Sequence, residues 1–362
     1  MFRRVIAIVL ITKIAVYLLG FIAFAIFNNR IFPLKDVFIE QWYRWDSVHY
    51  VEIAQHGYVN TGDERFNIVA LPLYPYLIFL LTKTGLHPLI SGLIISNLSS
   101  IFLAIYMAKL ISLDFPEEIA VKSVFYLYIF PTAYFLSAAY TEALFFAFEL
   151  CCFYYARKGR WFLSGFLVFF ACLTRIAGIF LFSALLVEYL YQKGFNFRRF
   201  KVDILSLFLP IFAFLIYLRI NYIIHGKFFA FLEMQRSHWY KSPSFPGKGF
   251  LNALAGFFWR TPYEKFMVSL MEIFFALIGL TGSLFAFGIR LSYGVYSLSN
   301  WVGITSVSFW LSIPRYTLAL FPIFLAFALW GRRQTFNYVF IFSSCLLLSI
   351  FTIQFTLGRW AF

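Results

Sequence analysis

Residues 40–58 read Glu40-Gln41-Trp42-Tyr43-Arg44-Trp45-Asp46-Ser47-Val48-His49-Tyr50-Val51-Glu52-Ile53-Ala54-Gln55-His56-Gly57-Tyr58. This short segment gathers carboxylates, two histidines, an arginine, two tryptophans and three tyrosines. On its N-terminal side an apolar run, about residues 5–27, is long enough to cross a bilayer. A polar, aromatic surface is thereby hung at the lip of a membrane from a first spanning helix.

The rest of the chain has the same bias. Hydrophobic residues make up 62% of the 362 residues and charged residues only 13%, where soluble domains are nearer a quarter charged. The expected fold class is an all-α polytopic membrane protein, read as one transmembrane domain over residues 1–362. The net charge of +14 falls in short clusters between apolar runs: Arg3-Arg4, Arg157-Lys158 with Arg160, Arg198-Arg199 with Lys201, and Arg332-Arg333. Cytoplasmic loops under the positive-inside rule have this pattern, which favours membrane lipids over nucleic acid as the partner of the charge. Cys151, Cys152, Cys172 and Cys345 lie in apolar runs without ligand spacing, so neither a disulfide framework nor a zinc site is expected. The first apolar run lacks a small-residue cleavage pattern and reads as a retained helix.

Placing the clusters inside gives about eleven spans. They are 5–27, 88–111, 119–133, 141–156, two short helices within 161–191 meeting near Thr174-Arg175, 202–224, 266–290, 294–312, 315–331 and 335–357. Residues 68–83, short and carrying Pro72 and Pro75, are taken as interfacial. A first outer loop then covers about 28–87 and a second about 225–265. Asp46, His49, His56, Tyr140, Glu142, Arg175, His225, His238 and Arg315 all fall on the outer side. Lys13 is placed to snorkel to the inner surface.

On a helix over 42–57, Asp46, His49, Tyr50, Ile53 and Gly57 share a face. Asp46 there can take a proton from an alcohol as a general base, with His49 and Glu142 as the other catalytic candidates. It also fits a helix cap, or one ligand of a metal pair with His49, although spacing supplies no third ligand and no cofactor is assigned. Glu142 lies between strongly apolar flanks, where a carboxylate faces a cavity or a partner, or caps a helix end. Arg175 and Arg315 are single guanidinium groups in apolar sequence, suited to a lipid phosphate or diphosphate or to snorkelling. Aromatic faces stack on sugar rings as well as anchoring interfaces. Trp45, Tyr50, His56, Tyr140, His238 and Tyr316 are therefore the candidate substrate contacts.

Arg44-Trp45-Asp46-Ser47-Val48-His49-Tyr50, followed by Ile53-Ala54-Gln55-His56-Gly57-Tyr58, resembles the signature of PIG-V-type mannosyltransferases. Leu71-Pro72-Leu73-Tyr74-Pro75, Phe130-Pro131-Thr132, Ser137 through Glu142, Leu173-Thr174-Arg175 and Pro314-Arg315-Tyr316 follow in matching order, over roughly residues 1–330. The resemblance implies a GT-C-like fold with membrane-parallel helices in the first outer loop, a polyprenyl-phosphate sugar donor, and Asp46 as catalytic base. The expected activity is inverting transfer of a sugar, mannose by resemblance, to a hydroxyl of a lipid or glycan acceptor. The site would face the extracytoplasmic or luminal side of a plasma or endoplasmic reticulum membrane. The competing reading is a carrier or flippase for a polyprenyl-linked sugar, which would use the same arginines but not the carboxylate. An ion-coupled transporter would want its ionisable groups at mid-membrane, whereas here they gather at one face.

Overall fold

The computed structural model describes residues 1–31 and 33–362. The helices run α1 Phe2–Asn28, α2 Leu34–Trp42, α3 Asp46–His56, α4 Leu73–Thr82, α5 Pro88–Ile111, α6 Glu117–Tyr128 and α7 Glu142–Arg157. They continue with α8 Trp161–Thr174, α9 Ile179–Gln192, α10 Leu209–His225, α11 Ala230–His238, α12 Pro246–Trp259 and α13 Pro262–Glu264. The last are α14 Met271–Ile289, α15 Leu291–Thr305, α16 Ile313–Thr317, α17 Pro322–Trp330 and α18 Gln334–Thr356. Among the described residues the only β pairing is an isolated bridge between Pro243 and Val307.

Among the described residues five continuous helical stretches, two of them joining neighbouring elements, are long and apolar enough to cross a membrane: Phe2–Asn28, Pro88–Ile111, Val202–His225, Pro262–Ile289 and Gln334–Thr356. The count becomes six if Asp63–Val69 and Leu73–Thr82, which meet at a 116° bend, form one span. About eleven were expected. The difference lies in helices that stop short, such as α7 with 16 residues, α8 with 14 and α15 with 15. The chain is an integral membrane protein of all-helical architecture.

Contacts divide it into two compact units, residues 1–150 with 327–361, and residues 151–326. In the first unit α1 packs against α5, α6 and α18, and α4 lies on α3 and α5. Residues 131–141 join α6 to α7 with only the short 3-10 turn Ala133–Leu136, yet every one is buried. Non-helical backbone at membrane depth persists only where protein supplies its hydrogen bonds, and here α1 and α5 contribute. Lys13 Nζ donates to the Leu136 carbonyl at 2.6 Å and to Ser137 Oγ at 3.4 Å. Tyr17 donates to the Ser137 carbonyl at 2.6 Å, and Asn97 donates to the Tyr17 hydroxyl at 2.7 Å. Lys13 is 7% exposed, so it does not snorkel. It turns inward because buried carbonyls offer its ammonium what water otherwise would.

In the second unit α8 packs on α10, α15 on α9 and α14, and α14 on α16. The expected break within 161–191 is present. Arg175 is extended (φ −147°, ψ 143°) between α8 and the turn Ile176–Gly178. The turn folds back so tightly that a Cβ on Gly178 would lie 2.8 Å from the Cys172 Cα. Arg157, expected in an inside loop cluster, converges with Arg290 on buried Glu188 instead. Arg290 grips its two oxygens at 2.7 and 2.6 Å, Arg157 Nε stands 3.8 Å away, and Ser292 and Gln192 each donate at 2.7 Å. A carboxylate at this depth is tolerable because paired guanidinium groups offset its desolvation.

Candidate active site

The expected helix over 42–57 is two helices. α2 ends at Trp42, α3 begins at Asp46, and Trp45 between them takes φ 51° and ψ −124°. A positive φ on a bulky residue is strained and persists only where surroundings hold it. Two hydroxyls do so here. Ser47 Oγ accepts from the Arg44 amide at 2.8 Å and donates to the Arg44 carbonyl at 2.8 Å. The Tyr140 hydroxyl donates to the same carbonyl at 3.2 Å and accepts from the Asp46 amide at 3.2 Å. Asp46 is therefore not a mid-helix residue but the first of α3, where the helix dipole favours its negative charge. Its amide, which has no partner within the helix, is satisfied by Tyr140.

Tyr140 is itself locked. Its carbonyl accepts from Ser96 Oγ at 2.9 Å, and Ser96 shares a 2.8 Å hydrogen bond with Tyr74. Tyr50 packs edge-on between Tyr74 (5.2 Å) and Tyr140 (6.3 Å). Tyr50 and Tyr140, expected as substrate contacts, are 8% and 1% exposed. Their rings serve as core, and what they position is α3. His49, one turn beyond Asp46, is half-buried with Nδ1 3.8 Å from Glu52, whose Oε2 also accepts from Asn67 at 2.9 Å. Glu142 opens α7, two residues past Tyr140, and is buried. Trp45 is 41% exposed and stands edge-on to Trp360 at 5.4 Å. His56 is exposed at the end of α3.

In the second unit Arg175, Lys241 and Arg315 share one aromatic neighbour or its helix. Arg175 and Lys241 each stand 5.7 Å from the Tyr316 ring centre. Arg315, beside Tyr316 on α16, is 6% exposed. Glu272 on α14 holds that short helix: its two oxygens accept from the Ser312 and Ile313 amides at 2.7 and 2.8 Å. Lys241 Nζ donates to the Leu311 carbonyl at 2.9 Å, on the same approach to α16. Sequence reasoning missed Lys241 and Glu272. A lone carboxylate in an apolar span was a usable signal for Glu272, whereas nothing local set Lys241 apart in its polar loop. His238 ends α11, exposed, with its ring 4.5 Å from that of Trp239. Among the described residues no group of three His, Cys, Asp or Glu side chains is arranged to hold a metal.

No curated protein matches the chain in sequence. The crystal structure of ArnT from Cupriavidus metallidurans bound to undecaprenyl phosphate matches with a TM-score of 0.53 at 14% identity, over 89% of this chain and 61% of that one. The Archaeoglobus fulgidus oligosaccharyltransferase in its apo form aligns with a TM-score of 0.42 at 10% identity, over 96% of this chain and 56% of that one. This chain thus spans less than two thirds of either solved chain. At this identity the likeness to ArnT concerns the fold, which is that of GT-C membrane glycosyltransferases. Residues 8–242 match the family described as mannosyltransferase (PIG-V). That stretch is more than half of the sequence and includes the Asp46 turn, Glu142 and Arg175, so the chain belongs to the mannosyltransferase (PIG-V) family.

Proposed function

We propose that the protein is an inverting mannosyltransferase that moves the sugar of a polyprenyl-phosphate donor to a hydroxyl of a lipid or glycan acceptor, at the extracytoplasmic or luminal membrane face. The observation that carries this reading is the Asp46 turn, a half-exposed carboxylate at a helix start whose backbone is pinned on both sides of Trp45 by one buried tyrosine hydroxyl. A base fixed in this way needs little reorganisation when it meets its proton.

In the proposed step the Asp46 carboxylate takes the proton of the acceptor hydroxyl. That oxygen bonds to the anomeric carbon from the face opposite phosphate. The carbon–oxygen bond to phosphate breaks, and polyprenyl phosphate leaves with the electron pair. Arg175 and Arg315, with Lys241, are assigned to the phosphate, whose charge grows as the bond breaks; preorganised cations stabilise that state most. The undecaprenyl phosphate bound by ArnT is a ligand of the same chemistry. His49 and Glu142 are assigned to the acceptor hydroxyls, and Trp45, His56, His238 and Tyr316 to sugar or head-group contact. The scheme assigns no resident cofactor, because the cations supply the charge that a metal would.

Incubation of the purified protein with labelled polyprenyl-phosphate mannose and an acceptor extract tests the reading. Labelled acceptor together with free polyprenyl phosphate is the expected result. Movement of intact donor across a bilayer without its cleavage would replace the enzyme with a carrier.

A further inference from the structure

Arg44 takes no part in the proposed transfer step. Its Nε is buried and has no hydrogen-bond partner among the described residues. Burial lowers its pKa from the ordinary value, with Glu40 acting in the opposite direction. Arg44 as a whole is half-buried, and a partly desolvated guanidinium gains more from an anion than a fully hydrated one does. It lines a cleft of about 420 Å³ together with Lys35, Asp36, Glu40, Tyr43 and His87. Glu40 is already engaged by Arg30 at 2.7 Å. A second groove of about 410 Å³ adjoins it, lined by Phe21, Leu34, Phe38 and Ile90, and Lys35 and Ile39 line both.

An open cleft edged by charged side chains, sharing Lys35 and Ile39 with an apolar groove along a short helix outside the spans, suits an amphiphile. The geometry points to a binding site for a zwitterionic phospholipid. Its phosphate sits between Arg44 and Lys35, its ammonium faces Asp36, and an acyl chain follows Phe21, Phe38 and Ile90. The charges favour this occupant over a purely anionic lipid, because Asp36 would repel the latter and has a partner only in a head group that is positive as well as negative. The site shares no residue with the cations assigned to the donor phosphate, and it does not require that assignment.

Native mass spectrometry of the intact protein released from nanodiscs of phosphatidylethanolamine, phosphatidylglycerol and undecaprenyl phosphate reads the occupant without reading transfer. One retained phosphatidylethanolamine per chain is expected. Lys35→Glu and Arg44→Gln should each lower its retention by about tenfold, and Asp36→Lys should shift preference to phosphatidylglycerol. Lys35 and Asp36 are exposed on α2, so these two variants keep the test valid if Arg44→Gln disturbs the neighbouring turn. Retention that Lys35→Glu leaves unchanged, or undecaprenyl phosphate retained in preference, would overturn the proposal.

Discussion

In the first unit the backbone that presents Asp46 is held by neutral hydroxyls, those of Ser47 and Tyr140. In the second unit the backbone that presents Arg315 is held by a buried carboxylate, Glu272, gripping the Ser312 and Ile313 amides. Both devices cap a helix start, and both stabilise a non-glycine residue at positive φ: Trp45 at 51° and Ser312 at 77°. They differ in charge. A fixed charge beside Asp46 would alter the proton affinity on which a base depends. On the proposed assignment, a carboxyl group beside Lys241 and on the helix start that carries Arg315 offsets the repulsion among the cations before the phosphate binds. The comparison teaches that each scaffold is matched to the sign of the group it carries.

The largest effect that would break this contrast is at the base. Asp46→Asn should leave the protein folded and lower mannosyl transfer by about 10² or more; near-normal turnover in that variant would remove Asp46 from the chemistry. Next come the cations. Arg175→Ala and Arg315→Ala should each lower kcat/KM for the donor by roughly 10², with acceptor KM unchanged; unaltered donor kinetics in both would end the phosphate assignment.

Smaller effects sharpen it. Glu272→Gln keeps volume but weakens two charge-assisted bonds, so thermal stability should fall by about 1–3 kcal/mol and donor kinetics should worsen as Arg315 loses its fixed position. Tyr140→Phe removes one hydroxyl that makes two bonds. A cost of about 1–2 kcal/mol, measured by denaturation in detergent, should accompany a fall in kcat rather than a rise in donor KM. If Tyr140→Phe instead raised donor KM, the two scaffolds would not be serving separate roles.

Much of this was legible in the chain. Long apolar runs gave α1, α5 and α18 nearly to the residue, because hydrophobic length alone decides them. The lone Arg175 in an over-long apolar stretch marked the break between α8 and the following turn. What stayed hidden depends on partners distant in sequence. Residues 42–57 read as one helix because local propensity favours it. The split at Trp45 needs Tyr140, more than ninety residues later. Arg157 read as a loop charge because Glu188 and Arg290 join it only in the fold. Tyr50 and Tyr140 read as sugar platforms because aromatic composition does not distinguish a wall from a core.

Lys13 has a consequence for how the protein is made. Its ammonium lies inside a 27-residue apolar helix, and its acceptors, Leu136 and Ser137, come 123 and 124 positions later. A lysine near the middle of an inserting helix costs about 2.5–3.5 kcal/mol. At synthesis rates of about 5–20 residues per second, α1 must carry that cost for roughly 6–25 s before its acceptors emerge. Throughout that interval α1 is a metastable membrane segment, open to tilting, retention at the insertion machinery or recognition by quality control. The buried 131–141 connection supplies the acceptors that end that cost, so the first helix is completed by a segment made long after it.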